Sequence, residues 1–165
     1  MRTSICPLQK YHKRKEFDCG NELLNDWYKK TARQKEESYQ TRTFVLVNVQ
    51  YPDQTLGFYC LFSGQADISL YPNPGKVKGI VPIVKIGRFA VDKRYKRQKL
   101  GEKMLAHALK KALDASKTLG IHMVCVDAKD EEARAFYEHY GFSALPGSLI
   151  MCMSMKDIEA AFGAA

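Results

Sequence analysis

No run of the 165-residue sequence approaches the roughly 20 consecutive apolar residues of a membrane span. The opening Met1-Arg2-Thr3-Ser4-Ile5-Cys6-Pro7 lacks the longer apolar stretch of a secretory leader, so a cytoplasmic protein with no membrane partner is expected. Cysteine is sparse and unpaired in pattern. Cys6, Cys19, Cys60, Cys125 and Cys152 are odd in number and never form C-x-x-C, which argues against a disulfide framework or a cysteine zinc site and leaves reduced thiols. His107, His122 and His139 show no H-E-x-x-H spacing, so no metal site is expected. Walker and dinucleotide glycine patterns are missing, as are internal repeats and low-complexity stretches. What remains is a chain of one-domain size, 45% hydrophobic and 27% charged, with enough apolar residues for one packed core over 1–165.

Negative charge is also short, with 18 acidic against 26 basic residues, a net of +8 that favours anionic partners. The excess is concentrated: residues 93–117 carry nine basic and two acidic residues, and residues 1–42 ten basic and six acidic. A solvated helix face explains such a run equally well until a motif is found.

Leu23, Leu24, Trp27, Tyr28 and Ala32 recur at helical spacing, which predicts a helix from Asn21 to about Ser38 capped by Asp18 or Asn21. Its other face presents Lys29, Lys30, Arg33 and Lys35. A short strand is expected at Ser4–Leu8. A hairpin follows, from the β-branched run Thr43–Val49 through a turn at Tyr51-Pro52-Asp53-Gln54 to a strand from Leu56 to about Ser63. Residues 71–79 read as a loop and Val81–Val91 as a strand. Leu100, Met104, Leu105, Ala108, Leu109, Ala112 and Leu119 then form the stripe of a helix from about Lys99 to Leu119, stopped by Gly120. Strand Ile121–Val126, helix Asp130–Tyr140 stopped by Gly141, and strand Ser148–Met155 complete an α/β chain with antiparallel strands first and a strand-turn-helix crossover later.

The crossover turn, Val91-Asp92-Lys93-Arg94-Tyr95-Lys96-Arg97-Gln98-Lys99-Leu100-Gly101-Glu102-Lys103, lies at the carboxyl end of its strand, where ligands bind in such sheets. Successive backbone N–H groups at a helix start, a small residue at Gly101 and surrounding cations make a pyrophosphate site. With Ile86-Gly87-Arg88-Phe89-Ala90-Val91-Asp92 before it and Glu132-Ala133-Arg134-Ala135-Phe136-Tyr137-Glu138-His139-Tyr140-Gly141-Phe142 after it, the sequence resembles the GNAT superfamily of acetyl-CoA-dependent N-acetyltransferases. Phe17-Asp18-Cys19-Gly20-Asn21-Glu22-Leu23-Leu24 and Arg42-Thr43-Phe44-Val45 extend the resemblance to the GNAT toxins of bacterial toxin–antitoxin pairs.

That resemblance implies a GNAT fold, with a mixed central sheet flanked by helices, and acetylation of the α-amino group of aminoacyl-tRNA, which blocks translation. A homodimer and a ribbon-helix-helix antitoxin are implied partners. Tyr137 matches the tyrosine acid that protonates the CoA thiolate. Phe89, Ala90 and Val91 match the strand that binds the thioester carbonyl and pantetheine, and Lys96, Arg97, Gln98, Lys99, Leu100, Gly101 and Glu102 the pyrophosphate turn, with Ala133 and Phe136 beside the cofactor. Arg88, Lys29, Lys30, Arg33, Lys93 and Arg94 are the candidate tRNA contacts. The family's loop has its first glycine where Lys99 stands here, so a side chain occupies a position that costs on the order of 1 kcal/mol if it is left-handed. A GNAT enzyme acting on a small amine or a protein N-terminus, and a non-catalytic basic RNA-binding module, are the alternatives that the same residues leave open.

Overall fold

The computed structural model describes residues 1–70, 77–144 and 147–163. Among the described residues seven strands form one sheet in the order β1-β2-β3-β4-β5-β7-β6: β1 (Thr3–Pro7), β2 (Arg42–Asn48), β3 (Tyr51–Asp67), β4 (Ile80–Val91), β5 (Met123–Asp127), β6 (Ser143–Ala144) and β7 (Ile150–Ser154). β1 to β3 pair antiparallel, β4 and β5 pair parallel from Ile83 opposite Met123 to Ile86 opposite Val126, and β7 runs antiparallel to both β5 and β6. The helices are α1 (Glu22–Asp26), α2 (Ala32–Glu37), α3 (Leu100–Ser116), α4 (Glu131–His139) and α5 (Met155–Phe162). This is the mixed α/β fold that the element order implied. The chain falls into two compact units, Met1–Phe62 with Gly87–Ala108, and Ser63–Ile86 with Leu109–Ala165.

In the first unit the expected helix over 21–38 begins as proposed, with the Asn21 side chain accepting from the Leu24 N–H at 3.1 Å, but a π turn at Trp27–Thr31 separates α1 from α2. A π turn leaves carbonyls without their ordinary partners, and the Arg14 guanidinium donates to the carbonyls of Tyr28 and Lys29 at 3.0 and 3.1 Å. The buried positions are Asn25, Tyr28 and Ala32, whereas Leu23, expected on the apolar face, is 83% exposed. Tyr28 stacks on Phe58 at 4.3 Å, with Phe17 edge-on to both. Its hydroxyl donates to Thr55 Oγ1 at 2.6 Å, because the Thr55 hydroxyl itself donates to the Lys13 carbonyl. The hairpin turn lies at Val49-Gln50 rather than at 51–54. β3 already begins at Tyr51, and of the two register shifts in the β2–β3 pairing the one between Val47 and Asn48 passes over Pro52, which cannot donate to a ladder.

In the second unit Ile68, Val81, Ile83, Met123, Cys125 and Cys152 form the core. The α3 helix stops at Ser116, so Leu119 lies beyond it and is 66% exposed, against its expected place on the apolar stripe. Neither β6 nor α5 was expected. The α5 start is a Ser154 side chain accepting from the Asp157 N–H at 3.1 Å. Of the loop expected at 71–79, residues 71–76 lie outside the described residues. All five cysteines are free, and burial pushes the Cys60 and Cys152 thiols up to about 11, so these two stay protonated at neutral pH.

Candidate functional site

In the first unit, β4 runs through Gly87, Arg88, Phe89, Ala90 and Val91 into the basic turn. Gly87 is required there, because a Cβ would lie 2.5 Å from the Phe62 ring. Ala90 is buried, while Phe89 and Val91 are half-buried. Arg88 is exposed, and its guanidinium sits 5.4 Å from the centre of the Trp27 ring.

The turn is braced at its root. Asp92 is wholly buried and caps the short 3₁₀ segment Lys93–Tyr95, its carboxylate accepting from the Arg94 N–H, Nε and Nη2 at 2.9, 3.0 and 2.9 Å and from the Asp18 N–H at 3.2 Å. Burial alone would disfavour the charge, but these donors outweigh it and hold the Asp92 carboxyl below the ordinary carboxylate range. Asp18 accepts from Lys93 Nζ at 3.0 Å, the Gly20 N–H at 2.8 Å and Asn25 Nδ2 at 3.0 Å, and the Lys93 contact leads in holding its pKa far below normal. The Lys93 N–H also donates to the Asp18 carbonyl at 2.8 Å. The segment around Phe17-Asp18-Cys19-Gly20-Asn21 therefore clamps the turn, a role that a one-dimensional reading of the motif had not assigned. Lys93 and Arg94, candidates for tRNA contact, both spend their charge on these internal carboxylates.

Beyond the brace, Lys96, Arg97, Gln98 and Lys99 are exposed, and the three cations among them form no ion pair with the described residues. Arg97 and Lys99 both have left-handed backbone, with φ of 65° and 59°. Lys99 thus adopts, with a side chain, the conformation for which glycine is normally used. Leu100 is buried and anchors the start of α3. The Lys103 N–H reaches the Lys99 carbonyl at 3.3 Å, so the N–H groups of Leu100, Gly101 and Glu102 in the first turn have no intrahelical acceptor. Left-handed residues leading into free helix N–H groups make a concave, electropositive cradle for an anion. On α1, the π turn and α2, Lys30 lies 3.6 Å from Asp26 and Arg33 2.8 Å from Glu37, while Lys29 is half-buried and its carbonyl receives Arg14.

In the second unit, Asp130 caps α4 by accepting from the Ala133 N–H at 2.8 Å, and Gly141, at φ 100°, ends it. Ala133 and Phe136 are half-buried. Tyr137 is 4% exposed, its ring centre 5.2 Å from that of Phe136 and 5.5 Å from that of Phe142. Burial pushes its phenol well above the ordinary tyrosine value, so the hydroxyl stays protonated through the neutral range.

Comparison with known proteins fits this arrangement. The model of the acetyltransferase (GNAT) domain matches residues 40–144. A tRNA-acetylating toxin of Mycobacterium tuberculosis is 31% identical over 89% of this chain and 89% of its own. A crystal structure of a Tyr-to-Phe variant of KacT superposes with a TM-score of 0.92 at 28% identity, covering 98% of this chain and all of that one, and AtaT complexed with acetyl-methionyl-tRNAfMet with a TM-score of 0.90 at 26% identity and the same coverage. AtaT bound to the C-terminus of its antitoxin AtaR and AtaTR bound with acetyl-CoA match with TM-scores of 0.84 and 0.85 at 26% and 27% identity, over 97% and 98% of this chain and 98% of each of theirs. A sheet of this order, an electropositive strand-turn-helix at the end of β4 and these matches have one common reading: the chain belongs to the GNAT acetyltransferase family.

Proposed function

We propose that this protein is an acetyl-CoA-dependent N-acetyltransferase toxin that acetylates the α-amino group of aminoacyl-tRNA and so blocks translation. The observation that carries the reading is the turn after β4, where two left-handed residues and the α3 N–H groups that lack an intrahelical acceptor stand among three cations that form no ion pair among the described residues. Phosphates fit that cradle on charge and on donor geometry. Lys96, Arg97, Gln98, Lys99, Leu100, Gly101 and Glu102 hold the pyrophosphate, Phe89, Ala90 and Val91 offer backbone N–H groups to the pantetheine and the thioester carbonyl, and Ala133 and Phe136 are further contacts of the cofactor. Acetyl-CoA supplies an activated acyl group as its thioester.

Amide formation needs a neutral amine, a stabilised oxyanion and a proton for the departing thiolate. The amine of an aminoacyl ester has a lowered pKa and loses its proton to water. Tyr137, kept protonated through the neutral range by its burial, gives its hydroxyl proton to the thiolate as the C–S bond breaks, and the proton released from the nitrogen on amide formation restores the phenol. The neighbours KacT and AtaT were both solved as Tyr-to-Phe variants, which supports a tyrosine in that role. Lys29, Lys30 and Arg33, with Arg88, meet RNA phosphates; Lys93 and Arg94 hold the turn and contribute less. Both compact units serve this one activity over 1–165, in the cytoplasm, as a homodimer silenced by a ribbon-helix-helix antitoxin.

Incubation of total aminoacyl-tRNA with the protein and acetyl-CoA, followed by mass spectrometry of the released amino acids, is the test. N-acetylated amino acids are expected. Their absence, with acetylation confined to free amines or peptides, would replace this reading.

A further inference from the structure

The α2 helix ends in a Schellman motif. Ser38 is the cap, the Tyr39 N–H donates to the Glu36 carbonyl at 3.1 Å and the Gln40 N–H to the Lys35 carbonyl at 2.9 Å. The residue after the cap in such a motif is left-handed and is usually glycine, because a Cβ is strained there. Here it is Tyr39, at φ 61°, and it is 82% exposed. A bulky aromatic in this conformation gains nothing from core burial to offset the strain. Persistent strain of this kind points to a use for the side chain.

The surroundings fit one use. The Arg42 guanidinium covers one face of the Tyr39 ring at 4.5 Å and is itself fixed by Glu36, at 3.4 Å from its carboxylate and 3.3 Å from its carbonyl. The turn is held by Lys35 Nζ donating to Gln40 Oε1 at 2.7 Å and Gln40 Nε2 donating to Ser38 Oγ at 2.9 Å. The ring is therefore held with one face on a cation while the side chain stays largely in solvent, at the end of α2, which carries Arg33 and Lys35 and follows the π turn with Lys29 and Lys30. Aromatic rings beside cations bind unpaired nucleobases by stacking, and single-stranded RNA is recognised in this way.

We infer that Tyr39, backed by Arg42, is a stacking platform for an unpaired base of the RNA, an inference that rests on RNA being the substrate of the proposed reaction. Fluorescence anisotropy of a labelled tRNA, measured over a range of salt with wild type and with Tyr39→Phe, Tyr39→Leu and Tyr39→Gly, tests it alongside thermal melting. Tyr39→Phe is expected to bind within about twofold of wild type, and Tyr39→Leu and Tyr39→Gly to lose about five- to a hundredfold, the range of one base–aromatic stack. The salt dependence is expected to keep its slope, since no phosphate contact is removed. Tyr39→Gly is expected to melt about 2–4 °C higher than wild type, because strain is relieved. Binding by Tyr39→Gly within twofold of wild type overturns the proposal and makes the ring a contact for some other partner. A fall of affinity and melting temperature together also overturns it, since Tyr39 would then be a packing residue. Failure of the wild type to bind tRNA at all removes the substrate reading as well, so the two failures are distinguishable.

Discussion

Tyr137 separates structure from chemistry at a single oxygen. The ring packs between Phe136 and Phe142, so Tyr137→Phe keeps the packing and removes only the proton that the proposed mechanism needs. Turnover on charged tRNA is expected to fall by about 10²- to 10⁴-fold, with acetyl-CoA affinity and melting temperature nearly unchanged. Single-turnover acetylation measures this, and a loss below about threefold would move the acid elsewhere. Lys99 poses a different question at the same scale. Its left-handed backbone is strained, so Lys99→Gly is expected to stabilise the fold by about 0.5–1 kcal/mol in denaturant unfolding. The same change removes one exposed cation from the proposed phosphate cradle. Calorimetry is expected to show weaker acetyl-CoA binding by several-fold at low salt and a smaller difference at high salt, because the lost attraction is screened. Equal affinity at low salt would show that the Lys99 side chain points away from the phosphates.

At the scale of elements, the turn after β4 depends on a brace that lies far away in sequence. Asp92 is buried and receives four donors, two of them from the Arg94 guanidinium. Its pKa is lower in the folded chain than in the unfolded one, so its contribution is fully present above the unfolded value of about 4 and is lost as pH falls through the folded value. Asp92→Asn is expected to cost about 2–4 kcal/mol at neutral pH and to flatten the loss of stability below about pH 4. Urea unfolding between pH 7 and pH 3 measures both effects. An unchanged pH profile would mean that Asp92 carries no net charge in the fold. If the brace positions the turn, acetyl-CoA affinity falls in the same variant even where it is fully folded.

Over the whole molecule, charge is the property most directly tied to a polyanionic substrate. The +8 excess is unevenly distributed, and the structure sorts its members: Lys93 and Arg94 face internal carboxylates, whereas Lys96, Arg97 and Lys99 stand in solvent. Replacement of Lys29, Lys30 and Arg33 by Gln is expected to reduce the slope of log affinity for tRNA against log salt by about 2, somewhat less than one per residue. The salt series on labelled tRNA reads this directly, and an unchanged slope would return the three residues to the task of keeping a helix soluble. No helix among the described residues is long and apolar enough to cross a membrane.

Much of this was legible in one dimension because it rests on local pattern. Helical spacing placed α3 and α4, β-branched runs placed β2, β4 and β5, and Asn21, Gly141 and the run after Val91 marked boundaries where capping and turn chemistry act within a few residues. The left-handed strain at Lys99 was foreseeable from the family pattern for the same reason. Other features belong only to the fold. The π turn depends on Arg14 arriving from a separate segment to bond two carbonyls, and its presence comes with Leu23 in solvent and Asn25 in the interior. The Asp18–Lys93 pair and the Asp18 N–H to Asp92 bond join residues more than 70 positions apart. Whether Lys93 and Lys99, six residues apart and alike in charge, face a carboxylate or solvent was likewise decided by which chain segment lay beside each. The sequence by itself determined where α3, α4, β2, β4 and β5 would form and where a basic turn would follow β4, since short-range sterics and periodic burial suffice for those, but not β6, α5 or the π turn. Tertiary structure alone decided which cations stay free and how the turn is held, because hydrogen bonds and ion pairs across long separations exist only once the chain has closed around them.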